Sequence, residues 1–255
     1  MKVMISGLGK AGKELIKTFS QAADIELIGG ICREGSDKQG QDVGALCGLE
    51  RLGALVYSVS QLRQVFKFRK PDVVIDFSSP EMAMELVELC MENHIDIIIG
   101  TTGFSAAQLK RIKDYSSISD IAILYAPNIT LGVNVLLVMA QLAAKYLDGY
   151  DFNITEIHYK GKKDAPSGTA NVISRTMRES MQENGRDEEI PITSVRAGGY
   201  IGRHQIMAVG ENDKIEIIHE SFSRKAFADG ALLAVRSVAG RRGWLEMTDV
   251  IGLKG

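Results

Sequence analysis

The fold is decided by residues 3–12, which read Val3-Met4-Ile5-Ser6-Gly7-Leu8-Gly9-Lys10-Ala11-Gly12. The mostly apolar run Val3–Ser6 predicts a short β-strand, and the helical spacing of apolar residues that follows predicts a helix over Lys10–Ala22. A strand that passes into a helix through a glycine-rich turn is typical of the first unit of a doubly wound α/β sheet.

Three glycines in this turn, Gly7, Gly9 and Gly12, match the pattern G-x-G-x-x-G. In that pattern the first glycine permits the tight turn, the second lets the backbone approach a pyrophosphate, and the third lets the helix pack closely on the strand. The free N–H groups at the helix start, at Lys10 and Ala11, would face the anion. The turn therefore predicts a dinucleotide-binding site, and a purely structural turn is the alternative.

Strands and helices continue to alternate through the first half of the chain. We predict strands at Ile25–Cys32, Val73–Phe77 and Ile95–Ile99, helices at Pro80–Asn93 and Ser105–Ser117, and a last strand at Ile121–Tyr125. Near-continuous aliphatic strands of this kind are buried on both faces, as in a parallel sheet. This half is predicted to form a Rossmann-type domain.

The pattern changes after Pro127. We predict helices at Val133–Tyr146, Thr169–Met181 and Ala226–Val238, and strands at Phe152–His158, Ile192–Arg196, His204–Val209 and Lys214–His219. These elements favour an α+β domain with a mixed or antiparallel sheet. The predicted domains are therefore residues 1–128, completed by 225–255, for dinucleotide binding, and residues 129–224 for the substrate, catalysis and oligomerisation.

Composition excludes several classes of partner. The 255 residues carry a net charge of −2 with no basic block, which gives no reason to expect nucleic acid or a membrane surface as partner. The cysteines Cys32, Cys47 and Cys90 are too widely spaced for a zinc site, and they favour reduced thiols in a cytoplasm. We expect a cytoplasmic protein without a metal site.

The end of the second strand indicates which nucleotide is bound. Sites selective for NAD usually place an acidic residue about 20 residues after the glycine loop, to bind the ribose hydroxyls. Here that place falls near Cys32 and is followed by Arg33, with Lys38 nearby. A guanidinium suits the extra phosphate of NADPH, so NADPH is predicted, with NADH as the alternative. Arg33 as a solvated loop residue also remains open.

Two further turns follow buried strands at the edge where ligands bind in open α/β sheets. They are Gly100-Thr101-Thr102-Gly103 and Ala126-Pro127-Asn128. Their small residues would let a nicotinamide ring lie against the backbone. Each could be only a turn, but together they outline a cofactor groove.

The most informative stretch is residues 156–170, Glu156-Ile157-His158-Tyr159-Lys160-Gly161-Lys162-Lys163-Asp164-Ala165-Pro166-Ser167-Gly168-Thr169-Ala170. His158 can give or take a proton near neutral pH, and Lys162 offers a compact positive charge. Residues 167–169 open a helix whose N–H groups suit a carboxylate or phosphate. The alternative is a surface loop with a serine cap. The other histidines, His94, His204 and His219, are interpreted as structural.

This stretch closely resembles the signature E-x-H-H-x-x-K-x-D-A-P-S-G-T-A of the dihydrodipicolinate reductase family. The resemblance spans nearly the whole chain. It includes the glycine loop, Asp76-Phe77-Ser78, Gly100–Phe104, Ala126–Asn128, Gly132–Asn134, Arg196–Gly198, Gly202–His204, Ser223-Arg224, Phe227-Ala228 and Met247–Val250.

The resemblance implies an activity. The family uses NADPH or NADH to reduce the dihydrodipicolinate ring, derived from 4-hydroxy-tetrahydrodipicolinate, to tetrahydrodipicolinate in lysine and diaminopimelate biosynthesis. A homotetramer built through the sheet of the second domain is also implied. A reductase of a related cyclic imine dicarboxylate, or a non-catalytic NADPH-binding regulatory protein, are the alternatives.

The resemblance also implies residue roles. His158 would be the proton donor, Lys162 would assist protonation and hold the substrate, and Ser167, Gly168 and Thr169 would bind a substrate carboxylate. Tyr159 stands where the family usually has a second, substrate-binding histidine. Phe77 and Arg224 join the predicted cofactor-binding residues.

Overall fold

The computed structural model describes residues 1–253; residues 254 and 255, which the predicted first domain includes, lie outside the described residues. The chain forms two compact units. Unit 1 comprises Met1–Ile129 and residues 227–253, and unit 2 comprises Thr130–Ala226. Within the described residues, no helix has the length and apolar character needed to cross a membrane.

Unit 1 is built on a seven-stranded parallel sheet. In chain order, its elements are β1 (Lys2–Ser6), α1 (Lys10–Phe19), β2 (Glu26–Cys32), β3 (Val56–Ser58), α2 (Leu62–Arg69), β4 (Val73–Asp76), α3 (Pro80–Glu92), β5 (Asp96–Ile99), α4 (Ala106–Ile118) and β6 (Ala122–Tyr125), and after unit 2 come α7 (Lys225–Val238), β11 (Gly243–Glu246) and α8 (Met247–Val250). The strand order is β11-β6-β5-β4-β1-β2-β3. The predicted Rossmann-type architecture is confirmed.

Helices cover both faces of this sheet because successive side chains of a strand point to opposite faces. Val3 and Ile5 of β1 belong to a core that includes the buried faces of α1 and α7. Met4 between them belongs to a second core with α2, α3 and α4. Burial on both faces explains why the strands are almost continuously aliphatic.

The alternating series of the first half ends at β6, but the sheet has a further strand, β11, that the sequence analysis does not predict. β11 pairs in parallel with β6 and occupies the edge beyond it. β11 escapes a search for aliphatic runs because it has four residues, of which only Leu245 is buried. The short elements β3 and α2 were also not predicted.

Unit 2 combines a four-stranded mixed sheet with two helices. Its elements are α5 (Leu131–Tyr146), β7 (Asp151–His158), α6 (Gly168–Glu183), β8 (Ile192–Arg196), β9 (Gly202–Val209) and β10 (Lys214–Ser221). The strand order is β10-β9-β7-β8, in which β7 and β8 run parallel and the other pairs run antiparallel. The predicted α+β architecture with a mixed sheet is confirmed.

The buried face of this sheet changes character along its strands. At one end, Phe152 and Ile154 of β7 lie in an apolar core with α5 and α6. Two and four residues further along the same face are Glu156 and His158, both buried. On β9, His204 is the register partner of Glu156. The strand pairing therefore collects ionisable side chains at one end of an otherwise apolar face.

Candidate active site

The glycine loop of unit 1 has the geometry that the motif predicts. Gly7 has a φ of +84°, and a Cβ there would lie 2.0 Å from the carbonyl oxygen of Phe77. A Cβ on Gly12 would lie 2.2 Å from the carbonyl oxygen of Gly7. A Cβ on Gly9 would meet no described atom within 4 Å. The first and third glycines are thus required by the fold, whereas the second leaves open space beside the loop.

This open space lies at the start of α1. Gly9 is the N-cap residue, no side chain among the described residues caps the helix, and its first turn contains no acidic residue. The N–H groups at the start of a helix attract anions because they have no partner within the helix. Lys10 and Ala11 form this turn, so the chain's own residues fit a pyrophosphate.

An open cavity of about 420 Å³ adjoins the glycine loop at the carboxyl edge of the sheet. Its lining includes Gly7, the end of β2 with Arg33, and Lys38. Lys38 Nζ donates a hydrogen bond to the carbonyl oxygen of Leu8 at 2.9 Å, which ties the Arg33–Lys38 segment to the glycine loop. Two cations thus flank the place predicted for the ribose phosphate.

A buried carboxylate fixes the ends of β4 and β5. Asp76 accepts hydrogen bonds from the hydroxyl of Ser78 at 2.5 Å and from that of Thr101 at 2.6 Å. Burial raises the pKa of Asp76 despite these bonds. The ring of Phe77 covers Gly100, where a Cβ would lie 1.8 Å from a ring carbon. The structure therefore brings the predicted residues Phe77, Gly100 and Thr101 together.

The other predicted cofactor residues are more dispersed. Ala126 is buried and Asn128 is half-buried after β6, whereas Thr102 and Pro127 are exposed. As far as residues 1–253 show, none of these lines the cavity at the glycine loop. Arg224 is exposed and belongs to unit 2.

The ionisable cluster of unit 2 centres on Glu156, which is 0% exposed. Its Oε2 is in a short hydrogen bond with Nδ1 of His158. Its Oε1 accepts hydrogen bonds from Nη2 of Arg196 at 2.7 Å and from the backbone N–H of Ser167 at 3.3 Å. The Glu156 carboxylate is thus hydrogen-bonded to the predicted proton donor His158, to the cation Arg196, and to Ser167 of the predicted anion-binding residues 167–169.

Glu156 is ionised throughout the neutral range. Burial acts to raise its pKa, but hydrogen bonds led by that of Arg196, together with His158, outweigh burial and lower the pKa to about 2. Glu156 therefore accepts hydrogen bonds and has no proton to donate near pH 7.

His204 lies beside His158, with ring centroids 5.3 Å apart in an edge-to-face arrangement. Its Nε2 is 3.2 Å from the hydroxyl of Ser167. Burial, and then the neighbouring His158, lower the pKa of His204 to about 4. Of these two adjacent histidines, His204 is therefore neutral near pH 7.

The helix start predicted at residues 167–169 is present. Ser167 is the N-cap of α6, and its hydroxyl accepts a hydrogen bond from the N–H of Ala170 at 3.1 Å. Gly168 is exposed and Thr169 is half-buried. Lys162 Nζ contacts the carboxylate of Asp164 at 2.8 Å, and Tyr159 is 42% exposed. Within the described chain, no group of three His, Cys, Asp or Glu side chains could hold a metal ion.

The sequence interpretation missed two members of the cluster. His204, interpreted from the sequence as structural, lies in the cluster, and its ring contacts both His158 and Ser167. Arg196 was noted only as part of a motif, yet it binds Glu156. Only the strand register reveals both, because β8 places Arg196 beside His158 and β9 places His204 beside Glu156.

A parallel sheet with a glycine-rich dinucleotide loop, joined to a unit that carries a buried acid–base cluster, defines a nicotinamide-dependent oxidoreductase. Models of the dihydrodipicolinate reductase N-terminus and C-terminus match residues 1–129 and 132–251. The chain belongs to the dihydrodipicolinate reductase family, and it uses a nicotinamide cofactor and a small-molecule substrate. The resemblance carried by residues 156–170 is thereby confirmed.

Individual members of the family are similar in sequence to this chain over nearly its whole length. The 4-hydroxy-tetrahydrodipicolinate reductase of Ralstonia nicotianae is 37% identical over 99% of this chain and 100% of its own. That of Methanococcus aeolicus is 34% identical over 95% of this chain and 94% of its own. Among solved structures, the dipicolinate-bound dihydrodipicolinate reductase from Paenisporosarcina sp. TG-14 has a TM-score of 0.81 and 27% identity, covering 96% of this chain and 97% of its own.

Proposed function

We propose that this chain catalyses the 4-hydroxy-tetrahydrodipicolinate reductase reaction of lysine and diaminopimelate biosynthesis. The observation that carries the proposal is the cluster around Glu156, which connects His158 to Arg196 and Ser167 within a chain that matches the family over both halves. The ring gains a hydride and a proton, and it becomes tetrahydrodipicolinate.

The residues of unit 2 supply the proton and hold the carboxylates. His158 donates the proton that completes the reduction, and Lys162 assists it with a positive charge. Ser167, Gly168 and Thr169 bind a carboxylate at the start of α6, where backbone N–H groups and the helix dipole favour an anion. Tyr159 adds a neutral hydrogen-bond donor to the substrate.

The residues of unit 1 hold the cofactor. The nicotinamide group supplies the hydride when it is bound. The turn formed by Gly7, Gly9, Lys10, Ala11 and Gly12 binds the pyrophosphate at the start of α1. The cofactor-binding set proposed from the sequence also includes Phe77, Gly100, Thr101, Thr102, Ala126, Pro127 and Asn128 of unit 1, and Arg224 of unit 2.

NADPH is the preferred cofactor in this proposal. Arg33 and Lys38 line the cavity beside the glycine loop, and a guanidinium suits the phosphate that distinguishes NADPH from NADH. Asp37 lines the same cavity and offers an acceptor for ribose hydroxyls, so NADH is the second candidate.

We also propose a cytoplasmic homotetramer. The face of the unit 2 sheet that lies away from its helices includes Val195, Val209 and Ile218, which are 36–48% exposed. A second copy of the chain would cover this apolar surface. Light scattering coupled to gel filtration should give about four times the chain mass of 27.8 kDa. The three free cysteines fit a reducing compartment.

The reaction is tested by following NADPH absorbance while the preceding synthase generates the substrate in situ. Rapid NADPH oxidation that depends on both the synthase and this chain is expected, with slower oxidation of NADH in a parallel assay. NADPH binding without turnover would instead indicate a regulatory protein.

Tyr159 gives one specific reason to test a second substrate. It stands at the position of the family's second histidine and is 42% exposed. Turnover only with another cyclic imine dicarboxylate would assign the chain to a sibling reaction.

A further inference from the structure

The identity of the donating nitrogen of His158 follows from its partner. Nδ1 of His158 is hydrogen-bonded to Oε2 of Glu156. An ionised carboxylate can only accept a hydrogen bond, so Nδ1 must carry a hydrogen whether the ring is neutral or charged. The proton that His158 gains and loses is therefore the one on Nε2.

Glu156 is itself held in place on its other oxygen. Arg196 Nη2 and the N–H of Ser167 both donate to Oε1. The same Nη2 also donates to the carbonyl oxygen of Asp164 at 2.5 Å. Oε2 is thereby left facing His158, and the imidazole ring cannot exchange its two nitrogens without breaking this arrangement.

The other nitrogen, Nε2, faces a glycine. A Cβ built on Gly202 would lie 3.1 Å from Nε2 of His158 and 3.6 Å from the adjacent ring carbon. Gly202 is buried at the first position of β9, and its φ lies outside the left-handed region, so backbone conformation does not demand glycine there. The missing side chain instead leaves the Nε2 side of the ring clear.

The groups around the ring are consistent with a single exchangeable proton. β7 contributes the ionised Glu156, β8 contributes Arg196, and β9 contributes His204. The segment before α6 adds the paired Lys162 and Asp164. Since His204 is neutral near pH 7, it does not add a second positive charge beside His158.

We propose that Glu156 and Gly202 are positioning residues for His158: Glu156 keeps a hydrogen on Nδ1, and Gly202 leaves Nε2 clear, so that every proton transfer passes through Nε2. The inference rests on the proposed function for the identity of the acceptor. In each turnover, the N–H bond at Nε2 of the imidazolium breaks and the proton passes to the substrate ring. The neutral ring keeps its hydrogen bond to Glu156, and it regains a proton from solvent at Nε2.

The first test needs no substrate, so its outcome is separable from failure of the proposed reaction. Long-range ¹⁵N–¹H spectra of ring-labelled histidine distinguish the two neutral tautomers. The His158 signal is assigned by its loss in His158→Gln, among only four histidines. Neutral His158 should carry its hydrogen on Nδ1, and Glu156→Gln should shift the hydrogen partly to Nε2. A hydrogen on Nε2 in the wild-type neutral ring would overturn the proposal.

The second test places one methyl group beside Nε2. Gly202→Ala should lower kcat about 10–100-fold while the KM changes little, because a small displacement at the reacting atom is costly. Gly199→Ala is the matched control, since a Cβ there meets no described atom within 4 Å and its φ is not left-handed. Thermal melts and NADPH affinity of both variants should match the wild type. Wild-type turnover by Gly202→Ala, or an equal loss in Gly199→Ala, would contradict the proposal.

The third test removes the charge of Glu156 and keeps its shape. Glu156→Gln should lower kcat by about 10-fold or more, as expected when a general acid loses its orientation. The KM for the substrate and the affinity for NADPH should stay close to wild type. If kcat were unchanged, or if only the KM rose, Glu156 would be a structural or substrate-binding group instead.

Discussion

Two helices of this chain begin at predicted anion sites, yet they begin in different ways. α1 starts after Gly9 with no capping side chain among the described residues. α6 starts after Ser167, whose hydroxyl caps the N–H of Ala170 and contacts His204, and whose own N–H binds Glu156. The first site consists of backbone and open space, whereas the second is joined to a network of ionisable groups.

This difference indicates that the start of α1 serves binding alone, whereas the start of α6 lies beside the groups that transfer protons. A bare helix start holds an anion through N–H groups that do not titrate, so it suits the pyrophosphate of a cofactor, which takes no part in the proton transfer. A helix start tied to Glu156, and through it to His158, places an anion near a group that exchanges protons. The four predictions that follow test this contrast, starting with the largest effect.

Loss of the proton donor should have the largest effect. His158→Gln should lower kcat about 10²–10⁴-fold, the usual contribution of a general acid, while NADPH affinity is unchanged. Steady-state kinetics and titration of NADPH fluorescence measure the two quantities. His94→Gln is the control, because His94 lies in unit 1 with an exposed side chain paired to Asp120. Near-normal turnover by His158→Gln would show that His158 of unit 2 is not the proton donor.

The buried carboxylate should make stability depend on pH. Since the pKa of Glu156 is about 2 in the folded chain and 4.5 ordinarily, its ionisation contributes about 3 kcal/mol at pH 7. That contribution is complete above pH 4.5 and is lost as the pH falls towards 2. Urea unfolding should show a stability gap between wild type and Glu156→Gln that narrows below pH 4.5.

The control for this measurement is Glu179→Gln, which removes an exposed partner of Arg175 on α6. Exposed ion pairs contribute little, so this gap should stay below about 1 kcal/mol at every pH. If the difference in unfolding free energy between wild type and Glu156→Gln did not depend on pH, the role of Glu156 would be packing alone.

Substitutions at two glycines of the loop should affect different properties, stability at Gly12 and cofactor binding at Gly9. Gly12→Ala should lower the free energy of unfolding by about 1–3 kcal/mol, because its Cβ would meet the carbonyl oxygen of Gly7. Gly9→Ala should leave stability unchanged, because its Cβ meets no described atom, but it should weaken NADPH binding. Equal stability losses in the two variants would contradict the role assigned to the open space.

The smallest effect is expected at Arg33. Arg33→Ala should reduce the preference for NADPH over NADH about 10-fold, the effect of one charged hydrogen bond. The ratio of kcat/KM for the two cofactors measures it. An unchanged ratio would mean that Arg33 is only a solvated loop residue.

The fold could be predicted well from sequence wherever elements are long and buried. β4 and β5 each contain three consecutive buried aliphatic residues, and the alternation in β7 is clear over eight residues. β3 and β11, with three and four residues, are too short to show a period. Their formation depends on pairing with neighbours that a single sequence does not reveal.

The site could be predicted in part for a similar reason. Residues 156–170 are local in sequence, so His158, Lys162 and Ser167 were found together. Arg196 and His204 come from other strands, and only strand register places them beside His158 and Glu156. The functions of buried histidines also depend on their partners, and apart from the family resemblance at Gly202–His204 nothing local to His204 distinguishes it from a structural residue.

The division between the cofactor site of unit 1 and the substrate site of unit 2 is tested most directly by calorimetry on two variants with two ligands. Gly9→Ala should weaken NADPH binding. It should leave unchanged the affinity for dipicolinate, used as an unreactive dicarboxylate analogue of the proposed substrate and measured at saturating NADPH. Lys162→Ala should leave NADPH binding unchanged and weaken dipicolinate binding about 10–100-fold, the effect of a lost charged hydrogen bond. Variants that each weaken both ligands equally, or the reverse pairing of variant and ligand, would contradict the account.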